Sequence, residues 1–422
     1  MAKVTLEELR DIAAAGDARA QYALAGLLSM RGEAAEANKW LEAAAAQEEP
    51  DALYTMATRT FFTRETIAEA LPQLEKSAAN GSTAGARLMA ALKVEGAHTS
   101  ADWKGAIDLV IGAAKAGDAA AKREIAMTLF ASDPGDKDGA VLLHEAAKAD
   151  AAAAAITVCR LIEGRAYTNH GEADAALQRL EAARYPNAAA LRAAFPDAPS
   201  SADDAPAAVD WVAVKARLAE PPQSGIAPLE QALQTPDVRQ ARGAFTREEC
   251  EYLIAASVRL LAPSMIVDPA TGQSRADPHR TSLTAILGPV DYELTLVRLS
   301  QRIAQYADQS EETGEFLSVL RYASGQEYRP HFDWLPEGSE HARSGQRVAT
   351  ALVYLNDDYE GGETHFLTPD TKLRPAAGDL ILFRNVDETG APDQTSRHAG
   401  LPVTAGAKWL ASKWFRERMY EF

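Results

Sequence analysis

Three side chains in the last quarter of the chain have the types and the spacing of a metal site. His331 and Asp333 form a His-x-Asp pair, and His398 lies well downstream. Two imidazoles and one carboxylate on one face of a metal ion leave three of its positions open, which suits non-haem Fe(II) that must also hold a co-substrate and O₂. Lys408 follows His398 and is a cationic partner for the far carboxylate of a dicarboxylic co-substrate. If these four residues converge, the chemistry they predict is oxygenation.

A His-x-Asp pair is common by chance, so its meaning depends on the elements that position it. On a β-strand His331 and Asp333 point to the same face, and both can reach one metal. Turn signals such as Ser324-Gly325 and Gly361-Gly362 separate short runs rich in β-branched and aromatic residues. Those predicted strands are Glu315–Tyr322, Val348–Leu355, Asp379–Arg384 and Lys408–Phe415. Several short strands after a helical region predict a double-sheet jelly roll.

The first 186 residues are repetitive. Motifs of small and polar residues beginning at Gly16, Glu49, Gly81, Gly117 and Ala149 recur at a spacing of roughly 31–36 residues, the range of helix–turn–helix arrays. Abundant Ala at helical spacing lets neighbouring helices pack closely, and a stack of such units buries faces that one unit cannot bury alone. The pattern resembles the Sel-one-like subfamily of tetratricopeptide-like repeats. That resemblance implies a concave scaffold for protein partners; the alternative is a plain helical domain with no partner surface.

The composition of the chain changes between Pro186 and Pro236, a segment that contains eight prolines. Because proline does not continue an established helix, the array is predicted to end here. The segment reads as a Pro/Ala-rich linker with one short helix, Val209–Leu218. The predicted domains are therefore a helical repeat domain at 1–186, a linker at 187–236 and a catalytic domain at 237–422.

Composition narrows the possible partners and compartments. The 422 residues carry a net charge of −17, which would repel phosphate backbones, so nucleic acid is not an expected partner. Cys159 and Cys250 are too few and too far apart for a disulfide framework or a zinc cluster. No apolar run reaches the roughly 18 residues that span a bilayer, and the acidic start is unlike a secretory signal. We expect a cytoplasmic protein without membrane contact, and the oligomeric state stays open.

Seven ordered blocks give the carboxyl-terminal 185 or so residues a family resemblance. They are Phe245–Ile254, Arg280–Ser282, Arg321–Asp333, Leu352–Asn356, Gly361–Thr364, Gly378–Asp379 and His398–Trp409. In this order and with this local spacing, the region resembles the catalytic domain of the prolyl 4-hydroxylase family of 2-oxoglutarate- and Fe(II)-dependent oxygenases. Together with the resemblance of the first half to helical repeats, this implies a multidomain chain of the α and α+β classes. An α-solenoid of helix–turn–helix repeats would be followed by a double-stranded β-helix (jelly-roll) catalytic domain with supporting helices.

The resemblance also implies roles for particular residues. His331, Asp333 and His398 would be the metal ligands, and Lys408 would bind the distal carboxylate of 2-oxoglutarate. Further contacts to the co-substrate are expected from Tyr322, Tyr354 and Thr350. Weaker candidates for the substrate side of the site are Arg280, Tyr328, Trp334, Arg397 and Trp414. His365 is expected to flank the site without being a ligand.

The implied function is hydroxylation of a peptidyl residue, and the favoured residue is proline, which would be converted to 4-hydroxyproline. The reaction would use Fe(II), 2-oxoglutarate and O₂, with ascorbate as a reductant, and would release succinate and CO₂. The repeats would dock the protein or peptide substrate. One alternative is an oxygenase for another side chain, such as lysine or asparagine, or for a small molecule. The other is a repeat-based binding protein whose oxygenase domain is a sensor or is inactive.

Overall fold

A computed structural model describes residues 5–197, 208–222, 225–267, 274–276, 279–336 and 338–422. An array of helices comes first, then a connecting segment, then two sheets with helices packed behind the larger one. The helices are α1 (Leu6–Ala14), α2 (Ala18–Met30), α3 (Ala34–Ala46), α4 (Pro50–Thr58), α5 (Arg64–Ala79), α6 (Thr83–Glu95), α7 (Trp103–Lys115), α8 (Ala119–Ser132), α9 (Lys137–Ala146), α10 (Ala151–Ile162), α11 (His170–Ala182), α12 (Ala188–Ala194), α13 (Trp211–Arg217), α14 (Arg247–Ser257), α15 (Leu294–Ala307) and α16 (Ser339–Ser344).

The strands all belong to the second half of the chain. They are β1 (Leu229–Leu233), β2 (Val238–Ala241), β3 (Ala262–Pro263), β4 (Met265–Val267), β5 (Ser274–Ala276), β6 (Leu283–Leu287), β7 (Leu317–Ala323), β8 (Tyr328–His331), β9 (Arg347–Tyr354), β10 (Glu360–Gly361), β11 (Thr364–Phe366), β12 (Thr371–Leu373), β13 (Leu380–Arg384), β14 (His398–Gly400), β15 (Val403–Ala405) and β16 (Ala407–Arg416). The larger sheet has the order β1-β2-β13-β9-β16-β7-β6-β3, and the smaller has the order β12-β11-β14-β8. Two short pairs, β10-β15 and β4-β5, complete the pairing.

The polar turns that repeat in the sequence are the starts of helices. Asp17, Ser82 and Asp118 are the N-caps of α2, α6 and α8, and each side chain accepts a hydrogen bond from the backbone N–H three residues later. The glycine before each cap lies in the left-handed region, with φ values of 102°, 104° and 99°. Glycine adopts that conformation without a steric penalty, so it ends one helix and lets the cap begin the next. The helix–turn–helix array is confirmed.

The larger sheet has a different core on each face. On β9, Ala351 and Val353 face α14, α15 and the repeats, whereas Leu352 and Tyr354 face the smaller sheet. Phe366 of the smaller sheet meets Phe383 of the larger one edge-on, with ring centroids 5.3 Å apart. Alternation along a strand thus divides the domain into an outer, helix-covered core and an inner space between the sheets. The predicted fold class, an α-solenoid followed by a jelly-roll domain with supporting helices, is confirmed.

The predicted linker, 187–236, holds more regular structure than its proline content indicates. Helix α12 continues the array beyond residue 186 because Leu191 is buried against it. Helix α13 begins after its N-cap, Asp210, and buries Val214. Strand β1 pairs with β2, so the larger sheet begins before residue 237. The prolines of this segment that the structure describes lie between these elements, where they interrupt neither a helix nor a strand ladder.

The repeats are joined to the outer face of the larger sheet by a buried ionic cluster. Glu293, just before α15, accepts hydrogen bonds from Arg123 Nη1 of α8 at 2.8 Å and from Arg87 Nη1 of α6 at 3.0 Å. The Tyr252 hydroxyl of α14 donates to the same carboxylate at 2.8 Å. Burial alone would raise the pKa of Glu293, but the two guanidinium groups outweigh it and lower that pKa to about 2. The repeats and the oxygenase half therefore share one packed interface.

Replacing Glu293 with Gln should destabilise the protein strongly. The variant removes the carboxylate that Arg123 and Arg87 share. Because these arginines keep Asp150 and Asp118 as partners, we expect the loss of the charged hydrogen bonds to cost about 1.5–3 kcal/mol. Urea denaturation followed by circular dichroism measures the free energy of unfolding. Glu230→Gln is the control, because its exposed pair with Arg242 should contribute less than about 1 kcal/mol. Equal losses in the two variants would contradict this account of the interface.

None of the described helices is long and apolar enough to cross a membrane.

Candidate active site

The predicted metal ligands meet in the space between the two sheets. His331 ends β8, His398 begins β14, and the antiparallel pairing of these strands sets the two histidines opposite each other. Asp333 lies two residues beyond His331, as the His-x-Asp spacing predicts. Its Oδ1 is 3.5 Å from His331 Nε2, and its Oδ2 is 3.8 Å from His398 Nε2. Among the described residues, these three form a group whose ligand atoms all lie within 4.8 Å of one another.

Hydrogen bonds to the backbone fix which nitrogen of each imidazole faces the site. His331 Nδ1 lies 2.8 Å from the carbonyl oxygen of Arg329, and His398 Nδ1 lies 3.0 Å from that of Ser396. A carbonyl oxygen only accepts, so each Nδ1 carries the proton and donates. In the neutral ring this leaves a lone pair on each Nε2, the atom that points towards Asp333.

The charges of the three ligands suit a cation. Burial lowers the pKa of the His398 imidazole to about 4, so this ring is neutral at pH 7. Burial by itself would raise the pKa of Asp333, but the neighbouring imidazoles lower it well below its usual range. Two imidazole nitrogens and one carboxylate fit Fe(II) with positions left open for small molecules. Bound by His331, Asp333 and His398, Fe(II) would supply the redox chemistry for a 2-oxo acid and O₂.

A chain of two polar side chains holds the carboxylate ligand in place. Thr350 Oγ1 donates to Asp333 Oδ2 at 2.8 Å, and Asn385 Nδ2 donates to Thr350 Oγ1, also at 2.8 Å. All three side chains are buried. Thr350 was expected among the co-substrate contacts; it does face the inner side of β9, but its hydroxyl is engaged by the carboxylate of Asp333. Thr350 therefore orients the metal-ligating carboxylate of Asp333.

Replacing Thr350 with Val should lower metal affinity and turnover about 10–100-fold, the usual effect of losing a hydrogen bond to a metal ligand. Valine has nearly the same shape but cannot donate to Asp333 Oδ2. Thr350→Ser keeps the hydroxyl and should recover most of the loss. Fe(II) titration and initial rates of succinate release measure both effects. Equal rates in the Val and Ser variants would show that the hydroxyl has no such role.

Lys408 lies deeper in the same space and has no carboxylate partner among the described residues. Its side chain is 2% exposed, its Nζ donates to the carbonyl oxygen of Gly362 at 2.7 Å, and its Nζ lies 4.9 Å from the centre of the Tyr354 ring. Burial lowers the pKa of Lys408 to about 7, against the attraction of Glu363. A buried ammonium with one neutral acceptor is a strong site for an incoming anion.

The two predicted tyrosines lie on either side of Lys408. Tyr322 is opposite Lys408 in the β7–β16 register and lines the cavity. Tyr354 is fully buried, and its hydroxyl hydrogen-bonds to Thr364, which also lines the cavity. Tyr322 can therefore contact a co-substrate directly, whereas Tyr354 presents its ring to the ammonium group.

One cavity connects Lys408 with the three metal ligands. Its lining includes residues that the sequence analysis missed, among them Leu352, Thr364, Leu401, Leu410 and Ser412. The apolar members exclude water from the space between Lys408 and the ligands. The sequence does contain a pattern that predicts some of these lining residues. Leu410, Ser412 and Trp414 follow Lys408 at steps of two on β16, so all four side chains lie on the same face of the strand.

The structure separates the predicted substrate residues into two groups. Arg280, Tyr328 and Trp414 line the cavity, whereas Trp334 and Arg397 do not. The Tyr328 ring is stacked on the His331 ring with centroids 3.4 Å apart, and the Arg280 guanidinium lies 5.0 Å from the Tyr328 ring centre.

The two residues outside the lining have other surroundings. The Trp334 ring lies against Phe332, with centroids 4.9 Å apart, and Arg397 is exposed. His365, the expected non-ligand, pairs with Asp370 at 2.5 Å and is not in the metal group.

The paired sheets and their donor set are those of the 2OG-Fe(II) oxygenase superfamily, and residues 317–416 match the model of that family. Within this class the similarity is more specific. Prolyl 4-hydroxylase 1 of Arabidopsis thaliana is 37% identical over 185 residues, which make up 40% of this chain and 65% of that protein. Probable prolyl 4-hydroxylase 3 of the same plant is 34% identical over 196 residues, 42% of this chain and 68% of that protein. The chain belongs to the prolyl 4-hydroxylase family, and it spans about two thirds of the length of these curated relatives.

Two solved structures are each similar to part of the chain. The viral collagen prolyl hydroxylase of Paramecium Bursaria Chlorella virus-1, in its 2OG complex, is 28% identical, covers 42% of this chain and 95% of its own, and has a TM-score of 0.34. A Sel1 repeat protein from Oxalobacter formigenes is 27% identical, covers 34% of this chain and 45% of its own, and has a TM-score of 0.29.

Proposed function

We propose that this protein hydroxylates a prolyl residue of a peptide or protein substrate at C4. One molecule each of 2-oxoglutarate and O₂ would be consumed, and succinate and CO₂ would be released with the hydroxylated product. The observation that carries the proposal is the single cavity that joins the His331, Asp333 and His398 cluster to the buried ammonium of Lys408. Ascorbate would serve as a reductant, and two buried free cysteines are compatible with a reducing, cytoplasmic location.

Each part of the cavity has a task in this proposal. His331, Asp333 and His398 would hold Fe(II), and Lys408 would bind the distal carboxylate of 2-oxoglutarate. The apolar side chains between these two points would keep water away from the reacting atoms. At the mouth, Tyr328 offers a flat ring beside His331 that a proline ring can contact, and Arg280 can donate to a peptide carbonyl.

We place substrate docking by the repeats on their amino-terminal part. Helices α6, α8 and α10 pack against α14 and α15 on the outer face of the larger sheet, whereas the cavity lies on its inner face. This part of the array has exposed apolar side chains: Met30, at the end of α2, is 79% exposed, and Phe62, between α4 and α5, is 74% exposed. We therefore propose α1–α5 as the docking region.

Proline-containing peptides test the proposed reaction. Purified protein with Fe(II), 2-oxoglutarate and ascorbate should convert them to products 16 Da heavier, with the added mass on proline in tandem mass spectra. Oxidation confined to lysine, asparagine or a small metabolite would replace the proposed substrate. No oxidation of any substrate would favour a binding protein with an inactive oxygenase domain.

A trapping experiment tests the docking region separately. Proteins retained by the His331→Ala variant would be identified by mass spectrometry, then compared with those retained when Met30 and Phe62 are also changed to Ser. Loss of specific partners in the triple variant is the expected result. An unchanged set would place docking elsewhere, without bearing on the chemistry.

A further inference from the structure

A second cavity lies at the junction between the repeats and the oxygenase half. Its volume is about 360 Å³, and it shares no lining residue with the active-site cavity. Its walls come from the end of α6 and the start of α7, from Pro221 and Pro222 after α13, and from α15. Cavities of this size at domain junctions commonly hold small molecules.

Arg298 of α15 is the cavity's unusual residue. In the part of the chain that the structure describes, its guanidinium group has no hydrogen-bond or ion-pair partner. Burial lowers the pKa of Arg298 to about 10, which still leaves the group charged at pH 7. Arg302, one turn later, pairs with Glu249 through both terminal nitrogens, with N–O distances of 2.7 and 2.8 Å. Glu249 is therefore already paired, and the partly buried charge of Arg298 is left without a direct partner, which favours the binding of an anion.

The other lining groups also favour an anion. Lys93 pairs with Asp102 at 3.1 Å, and Arg302 pairs with Glu249, so Arg298 is the lining charge that no carboxylate pairs with among the described residues. Gln305 adds a side-chain amide that can donate. This local excess of positive charge stands out in a chain with a net charge of −17.

The remaining wall is flat and apolar. The Trp103 indole donates to the carbonyl oxygen of Leu218 at 2.8 Å, which fixes its ring against the connecting segment. Pro221 and Pro222 line the cavity with it. Such a surface suits the body of a ligand whose charged end reaches Arg298.

We propose that this junction cavity binds a small organic anion through an oxyanion group, carboxylate or phosphate, held in the planar fork of Arg298. The body of the ligand would pack against Trp103 and the two prolines. A ligand there would touch the repeats, the connecting segment and the oxygenase half together. Binding would therefore stabilise the assembled chain against unfolding.

Thermal unfolding of the full-length protein tests the proposal with two probes. Inorganic phosphate represents phosphate ligands, and benzoate represents a carboxylate on a flat ring. Each is titrated at constant ionic strength against sodium chloride. We expect at least one probe to raise the Tm by about 2 °C, the size of shift given by a ligand at roughly ten times its Kd. Which probe acts distinguishes a phosphate from a carboxylate ligand.

Arg298→Gln supplies the decisive comparison. It should abolish the anion-dependent shift, while its Tm without anion stays equal to or above that of the wild type because an unpaired, partly buried charge is removed. Arg242→Gln, at an exposed arginine, should keep the shift. Because the active site is intact in both variants, anions bound at Lys408 affect them equally. Equal shifts in the wild type and Arg298→Gln, no shift with either probe, or a marked loss of Tm in unliganded Arg298→Gln would each overturn the proposal.

Discussion

Replacing His331 with Ala should abolish succinate release and peptide hydroxylation, with a loss of at least about a thousandfold, equivalent to about 4 kcal/mol of transition-state stabilisation. The donor set has three protein ligands, and two cannot hold Fe(II) in the facial arrangement that leaves positions for a co-substrate and O₂. Metal content by atomic absorption should fall together with activity. Retained turnover would mean that the ligands are misassigned.

His331 is a better test of the site than His398. The His331 side chain is 16% exposed and stacks on Tyr328, so its loss should change the Tm of the metal-free protein little. His398 is buried against Phe366 and Phe383, and its removal would also leave a cavity in the core. His365→Ala is the matched control, because this neighbouring histidine lies outside the donor group and should keep full activity.

Replacing Lys408 with Met should weaken the binding of 2-oxoglutarate and, at the same time, stabilise the ligand-free protein. The ammonium has only the Gly362 carbonyl as a hydrogen-bond acceptor, so a dicarboxylic co-substrate supplies its missing counter-charge. Losing that charged contact should cost about 3 kcal/mol, which raises the KM for 2-oxoglutarate roughly a hundredfold. The ligand-free variant should nevertheless have a higher Tm than the wild type, because an unpaired buried charge has been replaced by an apolar chain.

The pH dependence of that stability gain follows from the lowered pKa of Lys408. The pKa is about 7 in the folded state, against 10.5 for an unperturbed lysine. Between these values the unfolded chain binds more protons than the folded one, so wild-type stability rises with pH. The advantage of Lys408→Met should therefore be largest below about pH 7 and should shrink towards pH 10. A gain that does not vary with pH would contradict this assignment.

Lys413 provides a matched control on the same strand. It is also 2% exposed, but its Nζ pairs with Glu311 at 2.9 Å and donates to the Glu315 carbonyl oxygen at 3.0 Å. Lys413→Met should lower the Tm, because it leaves the Glu311 carboxylate without its partner. Opposite Tm shifts from the same substitution would show that Lys408 differs from Lys413 in lacking a counter-charge.

Local spacing made much of the site predictable. His331 and Asp333 share a face because strand side chains alternate, and the same rule places Leu410 and Ser412 with Lys408. Much of the repeat array could also be predicted, since a glycine followed by a capping residue marks the turns at Gly16, Gly81 and Gly117. These features depend on residues close together in the chain, whose geometry is largely set by the local backbone.

Contacts between distant segments could not be predicted in this way. The hydroxyl of Thr350 bonds to Asp333 only because β9 passes beside the chain that leaves β8. Arg123 and Glu293 are 170 residues apart, and no periodicity pairs them. Trp334 follows Asp333 directly, yet its ring lies outside the cavity lining. Each of these outcomes depends on how separate elements pack, which sequence spacing alone does not determine.

The central claim is that one site couples 2-oxoglutarate turnover to hydroxylation of proline. Its most direct test is the reaction of a proline-containing peptide under ¹⁸O₂, with tandem mass spectrometry of the peptide and quantification of succinate. We expect one ¹⁸O atom at C4 of proline, one succinate for each hydroxylated peptide, and neither product with His331→Ala. Succinate release without peptide labelling, or ¹⁸O on a residue other than proline, would contradict the claim.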